Sequence, residues 1–177
     1  MPNPDEEREE QLILLAALLA WFKRESERLA VALRDDTITL AAWLAGMRLL
    51  IKRLHTSAAL ITGGVDDALV AARIQEQYGY LDGFAAAIQA GGEGDEEFLV
   101  AAIIARAALY AGAAWVTFWL AIQGQEVRAG KTEARLITMG DNLVCGLCLK
   151  VEAVGWMPIA DMPMDLHLGC RCRREYR

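Results

Sequence analysis

The sequence predicts a mainly α-helical protein, an elongated bundle or stalk of about four helices over residues 1–130, with a small C-terminal β/loop module over residues 131–177. Three observations predict this division. Apolar residues recur at helical spacing through most of the first part; the runs Asp35-Asp36-Thr37, Gly63-Gly64 and Gly91-Gly92-Glu93-Gly94 interrupt it; and every cysteine lies beyond Lys131.

Each element has a local reason. Asn3 can cap a first helix, Pro4 suits its first position, and Asp5, Glu6 and Glu7 complement the positive end of its dipole. Leu12, Leu15, Leu19, Phe22, Leu29 and Leu33 then mark helix over 5–34. A second helix is expected from Leu40 to Ile61, carrying Trp43, Met47, Leu50 and Leu54 on one side and Arg48, Lys52 and Arg53 near another. The third runs from Asp66 to Ala90, with a kink expected between Gly79 and Gly83. Asp95 is a candidate cap for a long fourth helix ending at Gly130. Past Lys131 the run Arg135-Leu136-Ile137-Thr138 alternates as a strand does, and Val151–Met157 is expected to pair with it.

Five metal-type side chains crowd into the last 33 residues, as Cys145-x-x-Cys148 followed by His167-x-x-Cys170-x-Cys172. Two thiolates spaced this way reach one ion from a single tight turn, so the first pair is half of a zinc site and the later His and two Cys supply the other half. Five candidates compete for the four positions of tetrahedral Zn, and the thiolate-rich set argues for a closed, structural site. Two disulfides are the weaker reading, because Met1 to Glu10 is acidic where a secretory leader is basic. A thioredoxin-like redox pair at Cys145 and Cys148, serving a thiol oxidoreductase, would need a βαβ unit that the preceding sequence does not suggest.

The same stretch carries a resemblance. Thr138-Met139-Gly140-Asp141-Asn142-Leu143-Val144-Cys145-Gly146-Leu147-Cys148, then Gly155, Pro158, Pro163 and His167-Leu168-Gly169-Cys170-Arg171-Cys172, is similar to the C-terminal signature of tailed-phage head morphogenesis proteins, the Mu-type and SPP1-type minor head proteins. Leu168 stands where that family usually has Pro. Upstream, Gln77-Tyr78-Gly79-Tyr80-Leu81-Asp82-Gly83-Phe84 and Ile104-Ala105-Arg106-Ala107-Ala108-Leu109-Tyr110-Ala111 resemble the helical region that precedes the cysteines in these proteins. The resemblance implies a non-catalytic virion structural protein, in the host cytoplasm during assembly, placed near the portal vertex and acting in capsid assembly or genome delivery. Its implied partners are the phage portal or other head proteins.

Charge narrows the alternatives. A net charge of −6 argues against a protein that coats DNA, since phosphate binding needs a basic face. The one basic cluster is Arg171, Arg173, Arg174 and Arg177. It is either a solvated tail or a local contact with DNA or an acidic partner surface, and it is the sole support for a zinc-dependent nucleic-acid-binding module. Within the apolar run Leu99–Ile122, Arg106 leaves 16 uncharged residues, Ala107 to Ile122, too few to span a bilayer, so a buried or oligomeric helix is expected and no membrane association. Helices this apolar, with Trp21, Trp43, Trp115 and Trp119, favour self-association or docking on a larger assembly.

Catalysis finds little support. His55 is expected to be a partly exposed helical residue, and His167 is better suited to metal. Asp35-Asp36 and Asp66-Asp67 are read as helix-start carboxylates that stabilise the dipole, and no phosphate-binding glycine loop is present.

Overall fold

In the computed structural model, residues 4–64, 66–90, 96–138, 146–163 and 172–177 are described. Four long helices, α1 (Pro4–Arg34), α2 (Leu40–Leu60), α3 (Asp67–Ala90) and α4 (Glu96–Arg128), precede a small mixed region of strand β1 (Glu133–Ile137), helix α5 (Gly146–Val154), strand β2 (Met157–Pro158), one 3-10 turn (Ile159–Asp161) and strand β3 (Arg173–Tyr176). The chain divides into two compact units, Met1–Phe118 and Trp119–Arg177, so the boundary falls inside α4.

The first unit is helix on helix. On α1, Gln11, Leu15, Phe22, Ser26 and Ala30 are buried at four- or seven-residue intervals along one face, which packs on α2. Helix α2 packs on α3 as well as α1, and Trp43, Met47, Ile51, Leu54 and Ala58 are among its fully buried residues. Each large side chain so buried contributes roughly 1.5–3 kcal/mol relative to leaving it exposed. At Gly46 a Cβ would meet Leu29 Cδ1 at 3.0 Å, so the absence of a side chain there lets α1 and α2 approach. The Trp43 and Phe84 rings meet edge to face at 6.2 Å.

Helix boundaries follow from capping. Thr39 in extended conformation accepts a bond from the Ala42 amide at 3.2 Å and opens α2. Asp66 Oδ1 accepts from the Leu69 amide at 3.0 Å and opens α3. Asp35 and Asp36 do not sit at a helix start: they form the turn after α1, Asp35 held by Arg34 and Asp36 at a φ of 52°, a conformation Asp tolerates better than most residues. Helix α3 runs unbroken through Gly79 and Gly83, because both are exposed and no neighbour lies within 4 Å of where a Cβ would be to force a bend. The caps read at Asn3 and Asp95 lie outside the described residues.

The apolar face of α4 in the first unit is Ile103, Ala107, Tyr110, Ala114, Trp115 and Phe118. Its charged residue is accommodated by aromatic faces: the Arg106 guanidinium lies 5.7 Å from the Tyr80 ring centre, 5.8 Å from Phe84 and 5.7 Å from Tyr110, and donates to the Tyr80 carbonyl at 3.2 Å. By length and composition alone Leu99–Arg128 could cross a membrane, with a mean hydropathy of 1.8, but a core helix of a soluble protein passes the same test.

In the second unit three antiparallel strands form a sheet in the order β2-β1-β3, with Ala134 opposite Met157 and Tyr176, and Leu136 opposite Arg174. The strand expected at Arg135–Thr138 is β1. Its partner is not Val151–Met157: residues 146–154 are helical, and Met157–Pro158 alone pair with β1 on that side. The longer pairing is with β3, which the sequence reading did not foresee.

Candidate functional site

The second unit holds both described members of the cysteine pattern. Cys148 lies in the first turn of α5, which begins at Gly146, and Cys172 directly precedes β3. Both are buried, at 0% and 5% exposure, in one cluster with Ala134, Leu136, Val151, Ile159 and Met162. The fold therefore brings one cysteine from each half of the sequence pattern to the same small core, although 23 residues separate them in the chain. Cys145, His167 and Cys170 lie outside the described residues. Among the described residues no group of three or more His, Cys, Asp or Glu side chains gathers as a metal site.

Polar contacts tie this unit together. Gln123 Nε2, near the end of α4, donates to the Ile159 carbonyl at 2.9 Å. The Glu152 carboxylate on α5 accepts from both the amide and the hydroxyl of Thr138, at 2.8 and 2.7 Å, joining the helix to the end of β1. Those two bonds, the hydroxyl first and the amide second, hold the Glu152 carboxyl below its usual range.

The arginine cluster divides across the two faces of β3. Arg174 faces inward and is 5% exposed; its guanidinium lies 4.5 Å from the Trp119 ring centre and donates to the Pro163 carbonyl at 2.9 Å. Arg177 is exposed, pairs with Glu133 at 2.7 Å, and packs over Trp156 at 4.4 Å. Arg135 covers the same indole at 4.8 Å while donating to Glu175 at 2.6 and 2.8 Å. Two arginines thus flank Trp156, each matched by a glutamate, and this face carries no surplus of positive charge from those four residues. Arg173 stands opposite Ile137 in the register, and Arg171 lies outside the described residues. Geometry places Arg174 in structure rather than on a solvated tail, because reaching a phosphate would strip it from Trp119.

The first unit contains a polar pair that sequence reasoning missed. His55 is fully buried, not partly exposed, because its side of α2 faces α4: Nδ1 lies 2.8 Å from Thr117 Oγ1. The Thr117 hydroxyl lies 3.1 Å from the Ala113 carbonyl and donates to it, so His55 Nδ1 carries the hydrogen and donates to Thr117. Nε2 is then a buried acceptor with no hydrogen-bond partner among the described residues. Burial, with a smaller contribution from the Arg73 charge, pushes the imidazole down to about 4, so it is neutral at pH 7. The signal available in the sequence was spacing: His55 follows Ile51 and precedes Ala58 on the buried stripe.

Set against family models, curated proteins and solved structures, the chain matches none of them.

Proposed function

We propose that this chain is a tailed-phage minor head protein that works by binding near the portal vertex, with a structural Zn holding its C-terminal unit. The order of residues from Gly140 to Cys172, in the arrangement described for that family, supports the reading. One structural observation carries it furthest: Cys148 and Cys172, from opposite halves of the pattern, lie buried in one cluster. A closed thiolate site needs that convergence. Four of Cys145, Cys148, His167, Cys170 and Cys172 would hold the ion, which would contribute folding energy to a unit with a small core rather than catalysis.

The nucleic-acid alternative draws less support, because Arg174 is buried against Trp119 and Arg177 is paired with Glu133. The deciding experiment mixes purified protein with assembled portal rings and, separately, with duplex DNA, after elemental analysis of the metal. One Zn per chain and saturable binding to the rings is the expected result. Metal-free protein that ignores the rings and binds DNA with a steep salt dependence would overturn the proposal.

A further inference from the structure

The face of α1 turned away from α2 is complementary to itself. At about 100° per residue, the positions opposite the buried Leu15, Phe22 and Ser26 are Glu6, Glu10, Ile13, Ala17, Arg24 and Arg28, and all six are exposed. Along this line the chemistry changes from acidic through apolar to basic. Ile13 and Leu14 are 63% and 49% exposed, and the exposed Ala16, Ala17 and Ala20 leave the backbone accessible to a close neighbour.

We infer that α1 is a self-association surface, which pairs antiparallel with α1 of a second copy about a two-fold axis at Ala17. Glu10 and Arg24 each lie seven residues from Ala17, and Glu6 and Arg28 each eleven, so both pairs recur near whole turns of the same face. Antiparallel pairing about that axis sets Glu10 against the second copy's Arg24 and Glu6 against its Arg28, twice over by symmetry. Parallel pairing would set like charges together. Arg28 already pairs with Glu25 at 2.9 Å and would share its guanidinium with Glu6 of the second copy, whereas neither that pair nor Lys23 with Glu27 engages Glu10 or Arg24, which carry the contact. Of Trp21, Trp43, Trp115 and Trp119, which the sequence offers as association residues, the last three are 1%, 7% and 2% exposed and already buried within the chain, while the half-buried Trp21 lies on α1 itself, so the contact falls to α1.

From Glu6 to Arg28 the strip is roughly 33 Å long and about 10 Å wide, below the ~800 Å² per partner of a stable complex, so the dimer is a weak and concentration-dependent one. The inference stands apart from the reading of function above, since it rests on the charge order of one helix.

Sedimentation velocity on the intact chain tests it, with E10R and R24E as variants and circular dichroism as the check on folding. Wild type should dimerise in low salt as concentration rises towards ~0.5 mM, and less so in high salt. Each variant alone sets like charges together at both symmetry-related contacts and should associate about tenfold more weakly. An equimolar mixture should recover dimer, because the E10R chain offers cations and the R24E chain anions at every contact. Monomeric wild type, variants that still associate, or a mixture that fails to recover would each overturn the inference.

Discussion

His55 Nδ1 and Thr117 Oγ1 lie 2.8 Å apart inside the first unit, linking α2 to α4 through two side chains fully removed from water. The imidazole is neutral in the fold, at about 4, against 6.5 for a free histidine, so the unfolded chain binds one more proton between those values. Stability from this group is complete above pH 6.5 and falls as pH drops towards 4, by about 3 kcal/mol in all. Urea unfolding followed by circular dichroism should show a falling midpoint from pH 7 to pH 5, and His55→Met should flatten that slope. An unchanged slope in the variant would assign the acid sensitivity to other groups.

Replacing Thr117 by Val tests the same link at neutral pH. The methyl preserves shape, but His55 loses its one bond and keeps a buried N–H without an acceptor, which costs about 1–3 kcal/mol. The double variant His55→Leu, Thr117→Val removes both polar groups and should recover part of that loss. A double variant less stable than Thr117→Val alone would mean the pair matters through volume rather than hydrogen bonding.

Arg174 and Arg177 should separate cleanly, although the sequence groups them. Arg174→Ala removes a buried guanidinium from Trp119 and from the Pro163 carbonyl, and should destabilise the second unit by about 2 kcal/mol. Arg177→Ala loses a surface pair with Glu133 and a partly exposed indole contact, which together contribute about 1 kcal/mol or less. Hydrogen exchange of the β1 and β3 amides, read by NMR in rising denaturant, follows this unit. Equal losses would show that burial at Arg174 has little energetic consequence.

The helices were legible because each carries its own pattern: Leu15 and Phe22 on α1, Trp43, Met47 and Leu54 on α2, and breaks near Asp35 and Gly63. Residues 151–154 were misread as strand because β-branched and apolar residues in so short a run fit either state, and the helix is fixed by its neighbours, Val151 packing in the Cys148 cluster and Glu152 bonding Thr138. Strand β3 was hidden by composition, since Arg173-Arg174-Glu175-Tyr176 has no apolar alternation. Its inward position is an arginine that packs on Trp119, a contact distant in sequence. Cys148 and Cys172 share one apolar cluster, a placement that the spacing of the cysteines leaves open, and the burial of His55 needed α4.

Glu152 predicts a local effect. Its carboxylate is depressed by bonds present in the fold, so their contribution is present above the ordinary carboxylate range and is lost as pH falls through the lowered value. Glu152→Ala should speed exchange of the Thr138 amide at pH 7 while leaving α2 amides protected. Hydrogen exchange by NMR reads both, and an unchanged Thr138 rate would show the bond to be dispensable.

Metal removal is the sharpest test of the second unit. Among the described residues its cluster is Ala134, Leu136, Val151, Ile159, Met162 and two cysteines, with Met157 and Tyr176 against it, a small apolar set to weigh against the entropy of ordering the residues from Lys131 onward. The first unit buries Trp43, Phe22, Tyr110 and Phe118 without help from the cysteines. A strong chelator should therefore release residues beyond about 131 to protease, change the Trp156 environment, and leave helical circular dichroism nearly intact. Cys148→Ser separates metal from packing: if the thiol serves Zn, the variant should resemble chelated wild type and gain nothing further from chelator. If Cys148 matters through burial alone, the variant loses stability while wild type ignores the chelator, and the structural Zn is refuted.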